Sequence, residues 1–109
     1  MVPGTRPRQS IAERTLLLDG EPTVAVRVFC PEWDDEQTAS CSYEIAGLQH
    51  AGPGRAFGVD TVQALILALH LIAVVLENSA EAKSGRLNWL DDDHFGFRYP
   101  DDRVARERP

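Results

Sequence analysis

Residues 60–77 read DTVQALILALHLIAVVLE, and this stretch decides the fold. Between Val62 and Leu76 thirteen of fifteen positions are apolar, with Gln63 and His70 as the exceptions, and Glu77 continues their spacing of seven residues. At about 100° of rotation per residue these three polar side chains fall within about 40° of one another and form a single wet stripe. The spacing predicts a helix from Thr61 to about Ala82. Asp60 followed by Gln63 is a capping-box-like start, in which the carboxylate accepts an orphan amide hydrogen bond at the positive helix end. Lys83 and Gly85 read as its stop.

Val62, Leu65, Ile66, Leu69, Ile72 and Leu76 crowd one half of this helix and are expected to cover a sheet. A second apolar surface remains, made of Ala64, Leu67, Ala68, Leu71, Val74 and Val75, and a small sheet offers little to bury it. Two covers are open. The C-terminal aromatics Trp89, Phe95 and Phe97 can fold back over it. Alternatively, Ala64 and Ala68, one turn apart, let two helices approach in a symmetric dimer, with Leu67, Leu71 and Val75 around them. A membrane span needs about 20 apolar residues, which this interrupted stretch lacks.

Upstream, residues 11–18 (IAERTLLL), 23–30 (TVAVRVFC) and 39–46 (ASCSYEIA) are rich in β-branched and aromatic residues and read as strands. Asp19-Gly20 between the first two supplies the positive-φ positions of a tight hairpin. Alternation puts Val24, Val26, Val28 and Cys30 on one side of the second strand, and Cys41, Tyr43 and Ile45 on one side of the third. A two- or four-residue turn aligns Ile11, Glu13, Thr15 and Leu17 with the valine face; a three-residue turn aligns Arg14 with it instead. Residues 48–58 (LQHAGPGRAFG) are too rich in breakers for regular structure. Downstream, residues 86–90 (RLNWL) suit a short fourth strand, while 1–10 and 98–109 read as flexible ends around a single domain, 11–97.

The 109 residues carry 11 Lys and Arg against 17 Asp and Glu, a net charge of -6. That length suits one domain, and the acidic balance argues against nucleic acid as a partner. No apolar run marks residues 1–10 as a secretion signal, so a cytoplasmic location is expected, with Cys30 and Cys41 as reduced thiols. Asp91, Asp92, Asp93 and His94 are metal-type donors, but their spacing matches no known ligand pattern, and neither metal nor cofactor is expected. Strand charges Glu13, Arg14 and Arg27 are the candidate pocket residues, because a charge on a packed face must be paired.

The order I-A-E-R-T-L (11–16), V-x-V-R-V (24–28), G-V-D-x-x-Q-A-L-x-L-A-L (58–69) and G-x-L-x-W-L (85–90) resembles a family of small bacterial proteins described as a domain of unknown function. The resemblance implies a bacterial origin and a shared fold, and carries no activity. The fold expected is α+β: a three- to four-stranded antiparallel β-meander covered by one long helix in the C-terminal half, in the order β-β-β-α-β. The function expected is a non-enzymatic protein-interaction module, homodimeric or partner-binding. Its contact surface is the second helix face or the acidic loop with Glu32, Asp34, Asp35 and Glu36. One alternative is an immunity- or antitoxin-type binder of a basic partner. The other is a small enzyme with a Glu13/Arg pocket under the helix.

Overall fold

The computed structural model describes residues 9–97. The tail 98–109 and most of segment 1–10 lie outside the described residues, and Ser10 already opens the first strand. In chain order the elements are β1 (Ser10–Leu18), β2 (Glu21–Phe29), β3 (Glu32–Trp33), β4 (Ala39–Ala46), β5 (Pro53–Gly58), α1 (Thr61–Glu77), α2 (Ala80–Lys83) and β6 (Leu87–Asn88). All described pairings are antiparallel. β5 lies along one edge of β4. β2 and its short continuation β3 lie along the other, followed by β1 and β6.

The class is α+β, but the sheet has six strands among the described residues, not three or four. β5 is the main addition, and it runs through the stretch whose glycines and proline signalled a loop. Here glycine marks close approach instead. A Cβ on Gly54 would sit 2.3 Å from the Tyr43 ring, and one on Gly58 would sit 2.6 Å from the Ala64 nitrogen at the start of α1.

The β1–β2 turn is the two-residue Asp19-Gly20, with φ of 54° and 83°. Leu18 faces Glu21, yet Leu16 faces Val24, so Pro22 and Thr23 together oppose Leu17. This β-bulge shifts the ladder by one residue. It overturns the alignment expected for a two-residue turn: Ala12, Arg14 and Leu16 join the valine face, while Glu13 pairs with Arg27 on the other side. Pro22, which has no N–H to give a ladder, sits at the irregularity. The two candidate pocket charges Glu13 and Arg27 are thereby removed from the helix side. Their side chains form a 3.0 Å ion pair on the exposed sheet face, with Glu44 3.6 Å from Arg27.

α1 starts as expected: Asp60 Oδ1 accepts from the Gln63 amide at 2.8 Å, and Gln63 Oε1 accepts from the Val59 amide at 2.8 Å. It ends five residues earlier than the spacing suggested. Asn78 donates from Nδ2 to the Val74 carbonyl and Ser79 Oγ donates to the Leu76 carbonyl. Ser79 then turns extended and caps α2 through the Ala82 amide. Short polar side chains that bond the backbone locally compete in this way with helix continuation.

The rotation of α1 is the larger correction. Ala64, Ala68, Ile72 and Leu76 are fully buried, whereas Val62 and Ile66, expected on the sheet side, are 63% and 59% exposed. Ala64 and Ala68 therefore lie in the helix–sheet interface and cannot form a dimer seam. Leu71 and Val75 are packed on the flank of the core, and Leu67 is at the boundary of exposure. Small side chains let the helix axis settle close to the sheet, as the Gly58–Ala64 approach shows.

Glu81 in α2 is buried, and its Oε2 accepts from the Gln49 amide at 2.9 Å. That hydrogen bond, and a second from its own backbone amide, hold the carboxyl below the ordinary glutamate value. A carboxylate lowered in the folded state stabilises the fold above its unfolded value of about 4.3, and this contribution disappears as pH falls through the folded value. Thermal melts between pH 6 and pH 3 are thus expected to show a loss of stability on acidification. Glu81→Gln should flatten that slope; an unchanged slope would exclude Glu81 as its source.

Candidate functional site

α1 packs mainly on β4 and β5, so the valine row of β2 and the inner face of β1 need further cover. Residues 89–97 supply part of it. This segment turns through four left-handed residues, Leu90, Asp91, Phe95 and Gly96, with φ between 50° and 77°. Three of them carry side chains, at a cost of roughly 1–2 kcal/mol each. Burial of the Phe95 ring and a clasp centred on Arg14 offset that cost.

Arg14 is on the inner face because of the β-bulge. Its Nη1 donates to the Phe95 carbonyl at 3.1 Å. The guanidinium lies 3.9 Å from the centre of the Trp89 ring and 4.8 Å from that of Phe97. Each such cation–π contact is worth about 0.5–2 kcal/mol, according to how far water is excluded. Gly96 makes room for the arrangement, since a Cβ there would meet Trp89 at 2.4 Å and Arg14 Nη1 at 2.5 Å. Partial burial draws the Arg14 guanidinium below its ordinary value, and the nearby Asp92 carboxylate acts in the opposite direction. Arginine nevertheless stays protonated at neutral pH.

Between this clasp, Leu69 of α1 and the β1–β2 strands lies a cleft of about 440 Å³. Its walls are mainly apolar: Ala12, Val26, Val28, Leu69, Trp89 and Phe97, with Arg14, Asp92 and Gly96 at one side and Glu13 on the lining strand. Volumes of roughly 300–1,000 Å³ are typical of small-molecule sites. Among the described residues lining it there is no Ser, Thr, Cys or Lys nucleophile. The carboxylate of Glu13 is directed to Arg27 on the opposite sheet face.

The other residues read as candidates are dispersed. Glu32 is in β3, and Asp34, Asp35 and Glu36 are exposed in the loop that follows. Two of them shape that loop: Asp34 Oδ1 accepts from the Ser40 hydroxyl at 2.9 Å and Asp35 Oδ1 accepts from the Gln37 amide at 2.7 Å. His94 Nδ1 lies 3.0 Å from Glu77 Oε2, and Asp92 Oδ1 accepts from the His94 amide at 2.7 Å. Among the described residues, no three His, Cys, Asp or Glu side chains converge as a metal site would require. Cys41 is buried in the core, which pushes its thiol up, and Cys30 is exposed. Among the described residues no helix is long and apolar enough to cross a membrane. Sequence reading treated Asp92 as a metal-type donor and the aromatics as a cover for α1, and did not place them or Gly96 beside Arg14. Their only local signal was the Phe95-Gly96-Phe97 turn, and their partner Arg14 is 75 or more positions away in the chain.

A family model described as a domain of unknown function, DUF6968, matches residues 12–99. The chain belongs to the DUF6968 family. No curated protein and no solved structure matches it. The segment shared with DUF6968 includes every residue lining the cleft, from Ala12 to Phe97.

Proposed function

We propose that this DUF6968 domain is a non-enzymatic binding module whose binding element is the cleft beside Arg14. The observation that carries this reading is an open, mainly apolar space between a sheet, a helix flank and two aromatic rings, next to an arginine with spare donors. A fold of this size gains stability by closing such a gap, because interiors otherwise reach the density of organic crystals. Leaving it open costs contacts that a bound group would restore. The enzyme alternative has less support, since Glu13 and Arg27 pair on the far face and leave Arg14 without a carboxylate in direct contact.

Titration with a neutral probe, 3-phenylpropan-1-ol, is expected to shift the amide resonances of Val26, Val28, Leu69 and Trp89. Val28→Phe, which fills the cleft from its floor, should reduce those shifts several-fold. Absence of shifts in the wild-type protein at millimolar probe would remove the cleft as the binding element.

Protein partners remain a second reading, supported by the exposed Val62, Ile66 and Leu67 on α1. Of this stripe only Leu67 belongs to the expected second helix face; Val62 and Ile66 come from the half expected against the sheet, and Ala64 and Ala68 are covered by the sheet. In this reading a homodimer or an immunity-type contact with a basic protein uses this stripe or the acidic loop.

A further inference from the structure

We propose that the cleft takes a free α-amino acid with an apolar side chain, its carboxylate on Arg14 and its ammonium on Asp92. The inference rests on the binding-module reading above and specifies the ligand class for the same site. Three charged residues line the cleft, Glu13, Arg14 and Asp92. Glu13 is engaged by Arg27 at 3.0 Å on the opposite face, so one positive and one negative group remain for the interior.

These two groups do not close on each other. Arg14 and Asp92 both line the cleft, and among the described residues no ion pair within 4.0 Å joins them. A head group carrying both charges on one carbon offers a partner to each. A plain carboxylate would gain Arg14 but lie close to the Asp92 charge, and a plain amine would meet the reverse problem. A peptide terminus offers only one of the two charges.

Of the five guanidinium N–H groups, the structure assigns one, on Nη1, to the Phe95 carbonyl. The guanidinium carbon lies 3.9 Å from the Trp89 ring centre and 4.8 Å from that of Phe97, and a guanidinium fork binds a carboxylate through two parallel hydrogen bonds. The Asp92 carboxylate has one oxygen, Oδ1, on the His94 amide. The apolar surfaces of Ala12, Leu69, Trp89 and Phe97 then face the side chain of the ligand, over a floor in which Val26 and Val28 are already buried, and the cleft volume of about 440 Å³ accommodates an aromatic one.

Three probes of one shape test this in the intact protein by amide chemical shifts: L-phenylalanine, 3-phenylpropanoate and 2-phenylethylamine. L-Phenylalanine is expected to bind at least tenfold more tightly than either single-charge analogue. Asp92→Asn, which keeps an acceptor for the His94 amide, should abolish the advantage over 3-phenylpropanoate. Arg14→Gln, with folding checked by circular dichroism, should abolish the advantage over 2-phenylethylamine. If either analogue equals or exceeds L-phenylalanine, or if the advantage survives Asp92→Asn, the head-group assignment is overturned. Equal binding of all three with the neutral alcohol also bound overturns the ligand class but leaves the cleft reading standing. Failure of all four molecules to bind overturns both.

Discussion

Ala68→Asp is expected to leave the domain unfolded at room temperature. Ala68 is completely buried where α1 meets β4 and β5, and a carboxylate there would have neither water nor a cationic partner. Burying an unpaired charge costs several kcal/mol or forces the helix off the sheet, against a total stability of roughly 5–15 kcal/mol. Far-ultraviolet circular dichroism and urea titration read the outcome directly. Ile66→Asp is the control, two residues away on the exposed side, and should change stability by less than about 0.5 kcal/mol. A well-folded Ala68→Asp protein that merely changed its oligomeric mass in light scattering would show that the alanine face is a subunit seam after all. A mass change confined to Ile66→Asp would instead assign self-association to the outer stripe.

The second large effect is expected for Gly96→Val. Two costs combine at this residue. Its φ of 77° is unfavourable for a β-branched side chain, and the added atoms would enter the space of Trp89 and the Arg14 guanidinium, 2.4 and 2.5 Å away. Left-handed strain of about 1–3 kcal/mol and overpacking of a similar size together give a loss of about 3 kcal/mol or more. Gly20→Val separates the two. Gly20 has a comparable φ of 83°, but an added Cβ meets nothing within 4 Å, so that variant should show the conformational cost alone. The Gly96 variant should also release Trp89 from the guanidinium, with a red shift in its fluorescence. Equal losses for the two variants would mean that the clasp contributes nothing beyond backbone conformation.

Much of the architecture was legible locally. The hairpin turn was readable because Asp-Gly favours left-handed φ, and the helix start was readable because Asp60 and Gln63 bond neighbouring amides within one turn. Strands β1, β2 and β4 announced themselves through β-branched and aromatic content. β5 did not, since Gly54 and Gly58 carry the same letter whether they form a loop or admit Tyr43 and α1 at close range. The site was largely illegible. Whether Glu13 or Arg14 points inward depends on a bulge at Pro22–Thr23, a one-residue change that reverses every side chain beyond it.

Periodicity and turn chemistry by themselves determined that this DUF6968 chain has an antiparallel sheet and one dominant helix, because both properties are written in residues within a few positions of one another. The orientation of that helix was decided only in three dimensions. With thirteen of fifteen positions apolar, hydrophobicity could not choose a face, and the sheet selected the alanines for their size, leaving Val62 and Ile66 outside. The cleft was likewise decided by tertiary contacts, since Arg14 and the Trp89–Phe97 segment meet from opposite ends of the domain. No pattern in either segment alone encodes a meeting of that kind.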